Sequence, residues 1–337
     1  MIKIVFCHSL CIAGGRRIAI NLFNNLEGDK NFYSIDSGPL AEYLDIDPTL
    51  LTKKKGKVRY ISAFFSFARI LKENNSETQL ILAEGLIPAI FTVVLKPFFK
   101  VILISRIGRL KERGLLKNIL WKTVFIFSDR VVSPTENALS SYHFRPNRKF
   151  KVIPNPVDEK QILMLCKPDG NFISVPYIIY VGRIVREKNI EKVIKTYEKI
   201  KKRGYLGSLV LVGGGEESYE MELKNYCKSL GLVDNVKFLG ELVNPYHLIK
   251  QADVSLFFGE HEGFGYSVVE SILLGTPVIT SFSSSGHIEV LKKYCQGYLI
   301  LDSLNDEFNL YDYIEGPKPS ISEDLNSSLV AERYFKL

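Results

Sequence analysis

Glu262-Gly-Phe-Gly265-Tyr-Ser-Val-Val-Glu270-Ser-Ile-Leu-Leu-Gly275-Thr-Pro277-Val-Ile279 is the stretch whose reading decides the fold. The apolar run Val254–Phe258 before it predicts a buried strand, Tyr266–Leu274 predicts a helix, and Pro277–Thr280 predicts a second strand. Strand, helix and strand joined by short turns mean parallel pairing with a helical crossover. Gly263 and Gly265 stand immediately before the helix N-terminus. Backbone N–H groups there approach an anion closely, and the helix dipole adds to the attraction. Glu262 and Glu270 lie eight residues apart across this turn, spaced to reach opposite ends of one elongated ligand.

The same alternation extends outward in both directions. Downstream of the turn-rich Pro154-Asn-Pro156, strands are predicted at Tyr177–Val181, Ser208–Val212, Val236–Leu239 and Tyr298–Leu301. Helices fall between at Glu187–Lys202, Tyr219–Leu230, Pro245–Gln251 and Ser285–Lys293. Upstream, Ile2–Phe6, Leu80–Ala83, Val101–Ser105, Arg130–Val132 and Lys151–Ile153 read as strands. Arg17–Leu26, Ile61–Lys72 and Leu110–Phe127 read as helices, the last with Leu116, Ile119, Leu120, Thr123, Val124 and Phe127 on one face at core spacing. The pattern runs twice around a Pro-rich break, so the expectation is two doubly wound α/β domains. They are placed at residues 1–156 and 157–320, with a segment 321–337 that packs back on the first domain. A length of 337 residues suits two cores.

Composition narrows the function classes. The chain is 46% hydrophobic and 24% charged, with no low-complexity tract. Five scattered cysteines without a CxxC pair indicate neither a disulfide framework nor a zinc site and suit a reducing compartment. The opening Met1–His8 has too short an apolar run for a secretory leader. The most hydrophobic stretch, Leu86–Leu95, is far below the roughly 20 residues that span a bilayer. The net charge of +7 is uneven: residues 1–155 hold 24 Lys and Arg against 12 Asp and Glu, whereas the remainder holds 20 against 25. A basic half is suited to a phosphorylated acceptor or an anionic lipid surface. No recognisable RNA-binding motif interleaves aromatics with these cations, so nucleic acid is not expected.

Three further segments carry chemistry. Tyr180-Val-Gly182-Arg183-Ile-Val-Arg186-Glu-Lys188-Asn189 closes a strand with cations at its carboxyl end, where ligands of open α/β sheets bind. Arg183 offers a bidentate fork to phosphate oxygens and Lys188 a point charge. Val212-Gly213-Gly214-Gly215-Glu216 and Ala13-Gly14-Gly15-Arg16 are glycine turns following strands. Asp45-Ile-Asp47 precedes Pro48 and reads as a capped turn rather than a metal pair. No metal-ligating cluster is apparent. The five histidines are expected to be mostly structural or surface residues, with His261, beside Glu262, the best placed of them to see ligand.

Taken in order, the Glu-x7-Glu segment, the Gly-Arg…Lys loop, the Val-Gly-Gly-Gly turn and Ala252-Asp253-Val resemble family-four retaining glycosyltransferases of the GT-B fold. The match covers about residues 130–300. The N-terminal half matches through its Gly-Gly turn and Ser133-Pro-Thr-Glu136. The resemblance implies two Rossmann-like domains facing across a donor-binding cleft. It implies Glu262 on the donor sugar, Glu270 on the nucleotide ribose, and Arg183 and Lys188 on the diphosphate. Phe264, Gly265, Gly14, Gly15, Gly213 and Gly214 line the same pocket. The co-substrate is then a nucleotide-diphosphate sugar, UDP or GDP, with no other cofactor and no metal. The acceptor is a glycan or lipid-linked sugar of cell-surface polysaccharide synthesis, and the protein is cytoplasmic, resting peripherally on the inner face of the plasma membrane. One departure concerns the acceptor side. The family commonly has a His where this chain reads Ile104-Ser105-Arg106-Ile107-Gly108, which assigns Ser105 or Arg106 a different acceptor-side role. Other readings are a GT-B epimerase or phosphorylase, a dinucleotide oxidoreductase, which the missing G-x-G-x-x-G order argues against, and a non-catalytic nucleotide- or nucleic-acid-binding protein.

Overall fold

The computed structural model describes residues 1–11, 14–108, 114–142, 147–167, 173, 176–281, 285–303 and 306–337. They divide into two compact units, Met1–Val157 with Asp324–Leu337, and Asp158–Glu323. The apolar runs of the sequence become strands with ends within three residues of those expected.

The first unit contains β1 (Ile2–Ser9), α1 (Gly14–Asn24), β2 (Lys30–Asp36), β3 (Thr49–Leu50), α2 (Val58–Glu73), β4 (Gln79–Glu84) and α3 (Leu86–Leu95). It continues with β5 (Val101–Arg106), α4 (Leu115–Phe127), β6 (Arg130–Ser133), α5 (Glu136–Ser140) and β7 (Phe150–Val152). The seven strands run parallel in the order β3-β2-β1-β4-β5-β6-β7. Ile4 and Phe6 of β1 and Ile81 of β4 pack against Phe67 of α2 and Phe91 of α3, forming one core. A helix at Ser327–Phe335 completes the unit, and the Val157 N–H donates to the Leu325 carbonyl at 2.8 Å.

The second unit contains α6 (Glu159–Leu165), β8 (Tyr177–Val181), α7 (Ile190–Lys202), β9 (Ser208–Val212), α8 (Glu217–Ser229), β10 (Val236–Gly240) and α9 (Tyr246–Gln251). After these come β11 (Val254–Phe257), α10 (Tyr266–Leu273), β12 (Val278–Ser281), α11 (Gly286–Tyr294), β13 (Cys295–Gln296) and β14 (Tyr298–Leu301). Its main sheet is parallel, in the order β10-β9-β8-β11-β12-β14. Both units therefore have the doubly wound, Rossmann-like order, with the strand sequence reversing beside the first strand: between β1 and β4 in one, between β8 and β11 in the other. A crevice opens at the carboxyl ends of strands at such a switch point.

Three sequence expectations need correction. Leu86–Leu95, read only as a hydrophobic stretch, is α3, and Lys30–Asp36 is a strand the apolar-run reading passed over. Asn31 and Ser34 interrupt its apolar run, and Ser34 is buried with its hydroxyl donating to the Asp36 carbonyl at 2.6 Å. In α4 the expected core face is largely turned outward. Val124 is buried, but Leu116 is 70% exposed and Phe127 54%, and Ile119 is also exposed. The helix is apolar nearly all round, so spacing did not single out a face. Trp121 and Phe125 take the core side instead, in tilted and edge-on contact with each other and with Tyr142 at 5.2–6.0 Å, because large aromatic surfaces gain most from burial.

Candidate functional site

In the second unit, the loops leaving β8 and β11 meet at the switch point. The β8 loop runs through Gly182 and Arg183 into a 3-10 turn at Arg186–Lys188, closed by Asn189 in the left-handed region at φ 51°. The Asn189 amide donates to the Phe258 carbonyl at 2.9 Å, and the Glu260 N–H reaches the Glu187 carbonyl at 3.4 Å. These bonds tie one loop to the other. They bring Lys188 against Glu262 as an ion pair, with the two side chains 20% and 29% exposed. Arg183 is exposed beside them, its carbonyl accepting from the Tyr180 hydroxyl at 2.9 Å. Among the described residues no carboxylate pairs with Arg183.

Glu262 is held at its backbone. Its N–H donates to Ser285 Oγ at 2.9 Å, and its carbonyl accepts from the Gly286 N–H at 2.7 Å. Ser285 is in turn 3.0 Å from His287 Nδ1, whose Nε2 lies 3.1 Å from Thr280 Oγ1. Thus α11 and β12 fix the loop that carries the carboxylate. Sequence reasoning took His287 as structural and passed over Ser285; a serine immediately before a helical Gly-His is the signal that was present. Phe264 is buried, and Gly265 caps α10 in the left-handed region at φ 83°. No acid occupies the first turn of α10, and the Gly265 cap offers its start no side chain. Glu270 follows in the second turn, buried, with Oε1 3.3 Å from the hydroxyl of Tyr246, a partner the sequence did not suggest.

The glycine turns divide. A Cβ on Gly213 would strike the Gly182 carbonyl, so the close passage of the β8 and β9 loops requires glycine there. At Gly214 a Cβ would make only ordinary contact with Glu241. His261 is exposed. The cation Arg186, in the same loop as Arg183, is taken up by Glu222 at 2.6 Å and lies over the Tyr219 ring.

In the first unit the residues assigned to the acceptor side are enclosed. Ser105 is fully buried, its Oγ 2.8 Å from that of Ser128. Arg106 is 4% exposed and donates to Glu84 at 2.8 Å and to the Asn155 side-chain oxygen at 2.6 Å. Gly15, in the first turn of α1, packs on this pair so closely that a Cβ would strike Glu84 Oε1. Gly14 opens that helix. Among the described residues no group of three His, Cys, Asp or Glu is placed to hold a metal ion, and no helix is long and apolar enough to cross a membrane.

A parallel two-unit fold with a cationic, glycine-lined switch point in its second unit can be compared with known proteins. Residues 170–311 match the family described as glycosyl transferases group 1. The O-antigen biosynthesis glycosyltransferase WclY of Escherichia coli is 32% identical over 178 residues, which is 50% of this chain and 48% of WclY. The chain thus spans about half the length of that relative. An uncharacterized glycosyltransferase of Haemophilus influenzae is 25% identical over 98% of this chain and 97% of its own length. The crystal structure of Anabaena HepE in complex with UDP superposes with a TM-score of 0.74 at 17% identity, covering 99% of this chain and 96% of that one. The fold is therefore the GT-B type, built of two Rossmann-like units.

Proposed function

We propose that this protein is a retaining glycosyltransferase that moves a sugar from a nucleotide-diphosphate donor to a glycan or lipid-linked acceptor in cell-surface polysaccharide synthesis. The observation that carries the reading is the cluster at the β8–β11 switch point: exposed Arg183, the Lys188–Glu262 pair and the uncapped start of α10 leading to Glu270. An elongated anion fits this order of groups. Its diphosphate meets Arg183, Lys188 and the α10 N–H groups, the ribose hydroxyls meet Glu270, and the sugar meets Glu262. When the bond from the anomeric carbon to the diphosphate oxygen breaks, its electron pair goes to the diphosphate, where fixed cations stabilise it. The acceptor oxygen bonds on the face just vacated, and its proton passes to the departing oxygen. Two cationic side chains supply the charge that a divalent ion provides elsewhere, so we assign a metal-independent reaction with UDP or GDP as the nucleotide. The WclY name, O-antigen biosynthesis, supports the polysaccharide assignment.

The outward face of α4 supports a peripheral position on the inner face of the plasma membrane. Leu116, Ile119, Ile126 and Phe127 are exposed there, with Lys117 and Lys122 exposed between them and Phe98 exposed before β5. Apolar side chains beside lysines suit an interface of acyl chains and anionic headgroups.

Incubation with a panel of UDP-, GDP- and ADP-sugars and with oligosaccharide and lipid-linked acceptors, followed by NMR of the product, tests the transfer. The expected product keeps the anomeric configuration and forms in excess EDTA. Inversion, or a reaction lost to EDTA and restored by Mg²⁺, overturns the mechanism. Sedimentation with anionic vesicles tests the surface: Leu116→Ser with Phe127→Ser should release the protein, as should high salt.

A further inference from the structure

The carboxyl ends of β1 and β2 carry a second cluster that the donor site does not use. His8 near the end of β1 stacks on Tyr60 of α2 at 5.8 Å between ring centroids, with Nε2 3.3 Å from the tyrosine hydroxyl. Arg59, also in the first turn of α2, donates to the same hydroxyl at 2.9 Å and lies 3.5 Å from Asp36 at the end of β2. Asp36 is 3.8 Å from His8. The side chains of His8, Asp36 and Arg59 are 25–29% exposed, so solvent reaches the group.

Three features suit this cluster to an anion. The Nε atoms of Arg59 and of Arg16, in the first turn of α1, are buried without a hydrogen-bond partner, and a buried charged donor left unpaired is costly. Neither α1 nor α2 has an acid in its first turn. Both place arginines there, against the usual preference for negative charge at a helix N-terminus, and the exposed Lys53, Lys54, Lys55 and Lys57 precede α2. Burial lowers the pKa of His8; Asp36 opposes this, while Arg16 and Arg59 act in the same direction as burial, so the Arg16 charge is felt at the ring as well. The Arg59 guanidinium, an imidazole and a phenol are thus set against a single carboxylate, with the Arg16 charge acting on the imidazole from the neighbouring helix. Donors converging from separate elements match the several oxygens of a tetrahedral group better than the two coplanar oxygens of a carboxylate.

We propose that His8, Arg16, Arg59 and Tyr60 form a phosphate-binding subsite in the first unit, which receives a phosphoryl group carried by the acceptor. The acceptor role rests on the transferase reading above; the phosphate site does not. Sodium phosphate is titrated into the full-length protein while the ring signals of His8, assigned with His8→Gln, are followed by NMR. A saturable His8 shift is expected, weakened about tenfold or more in Arg59→Gln and in Arg16→Gln and retained in Arg183→Ala, which removes a donor-site cation. A silent His8, or a shift indifferent to both arginine substitutions in folded protein, overturns the proposal. Glycerol phosphate and phosphatidylglycerol vesicles then separate a free phosphorylated acceptor from a lipid-borne one. Either probe acting through Arg59 supports the subsite, and failure of both with inorganic phosphate also silent rejects it. Loss of sugar transfer in Arg183→Ala with the His8 response intact separates the two sites; absence of any transferase activity with that response intact removes the acceptor role alone.

Discussion

The two units reverse their strand order at equivalent places, yet treat a basic side chain paired with a glutamate near there in opposite ways. Beside that reversal in the first unit, at the adjoining ends of β4 and β5, Glu84 and Arg106 are buried with Asn155, and Gly15 packs down on them. Between β8 and β11, Lys188 and Glu262 pair in partial contact with solvent, next to the exposed Arg183. A buried pair has spent its charge on its partner and serves to hold backbone in place. A pair at the rim can exchange partners when a ligand arrives. An opposite-charge pair therefore carries structure in one unit and, on the proposed reading, is available for chemistry in the other. On the ground of this burial we propose that Arg106 is a positioning residue rather than an acceptor-contacting one, acting through Glu84 and the Gly15 turn that packs on it.

The sharpest way to break this contrast is to remove Arg106. Arg106→Ala leaves Glu84 as an uncompensated buried charge and should cost about 3–5 kcal/mol of stability, measured by urea denaturation. A smaller loss, with transfer abolished in folded protein, would make Arg106 a contact residue after all. The mirror experiment is in the second unit. Arg183→Ala and Lys188→Ala should leave the melting temperature nearly unchanged while lowering turnover by roughly 10²–10³-fold, the usual cost of losing an electrostatic stabiliser.

Why one site was legible and the other was not follows from where the residues sit in sequence. Glu262, Phe264, Gly265 and Glu270 occupy one strand–turn–helix, and Arg183 and Lys188 one loop, so short-range spacing was enough to place them. The contact between the two loops is made by Asn189 and Phe258, 69 residues apart, and no local pattern announces such a bond. Glu84, Arg106, Asn155 and Gly15 come from four segments and meet only when β4 and β5 pair. The parallel folds themselves were readable because buried parallel strands are continuous apolar runs. The exceptions are informative: Lys30–Asp36 failed because polar side chains are satisfied inside it, and the buried face of α4 failed because an all-round apolar helix has no periodic signal.

Within the second unit the two glutamates should separate by effect. Glu270→Ala removes the carboxylate that the proposed reading sets against the ribose and should weaken binding of free nucleotide diphosphate by about 1.5–3 kcal/mol, read by calorimetry. Glu262→Ala should damage transfer while leaving that affinity close to wild type. Equal losses of affinity from both would contradict the order of groups along the crevice. Gly15→Ala belongs on the same scale, because its Cβ collides with a carboxylate that cannot move without breaking the Arg106 pair. Overpacking of this kind costs about 1–3 kcal/mol, and unchanged stability would mean that the Glu84 pair is looser than its burial implies.

The smallest expected effect sharpens the comparison most economically. Arg186 lies three residues from Arg183 and two from Lys188, so charge alone would make it a third diphosphate contact. Its guanidinium, however, is turned to Glu222 and the Tyr219 ring, with its side chain 67% exposed and that of Glu222 55%. An exposed pair of this sort contributes little to stability because water screens it and two long side chains lose freedom to form it. Arg186→Ala should therefore leave both the melting temperature and transfer within about twofold of wild type, whereas Lys188→Ala two positions on does not. Steady-state rates for the two variants under identical donor concentrations make the test. Comparable losses in both would mean that the loop acts through its summed charge rather than through the partners each side chain has in the fold, and the contrast between an engaged cation and an available one would fall.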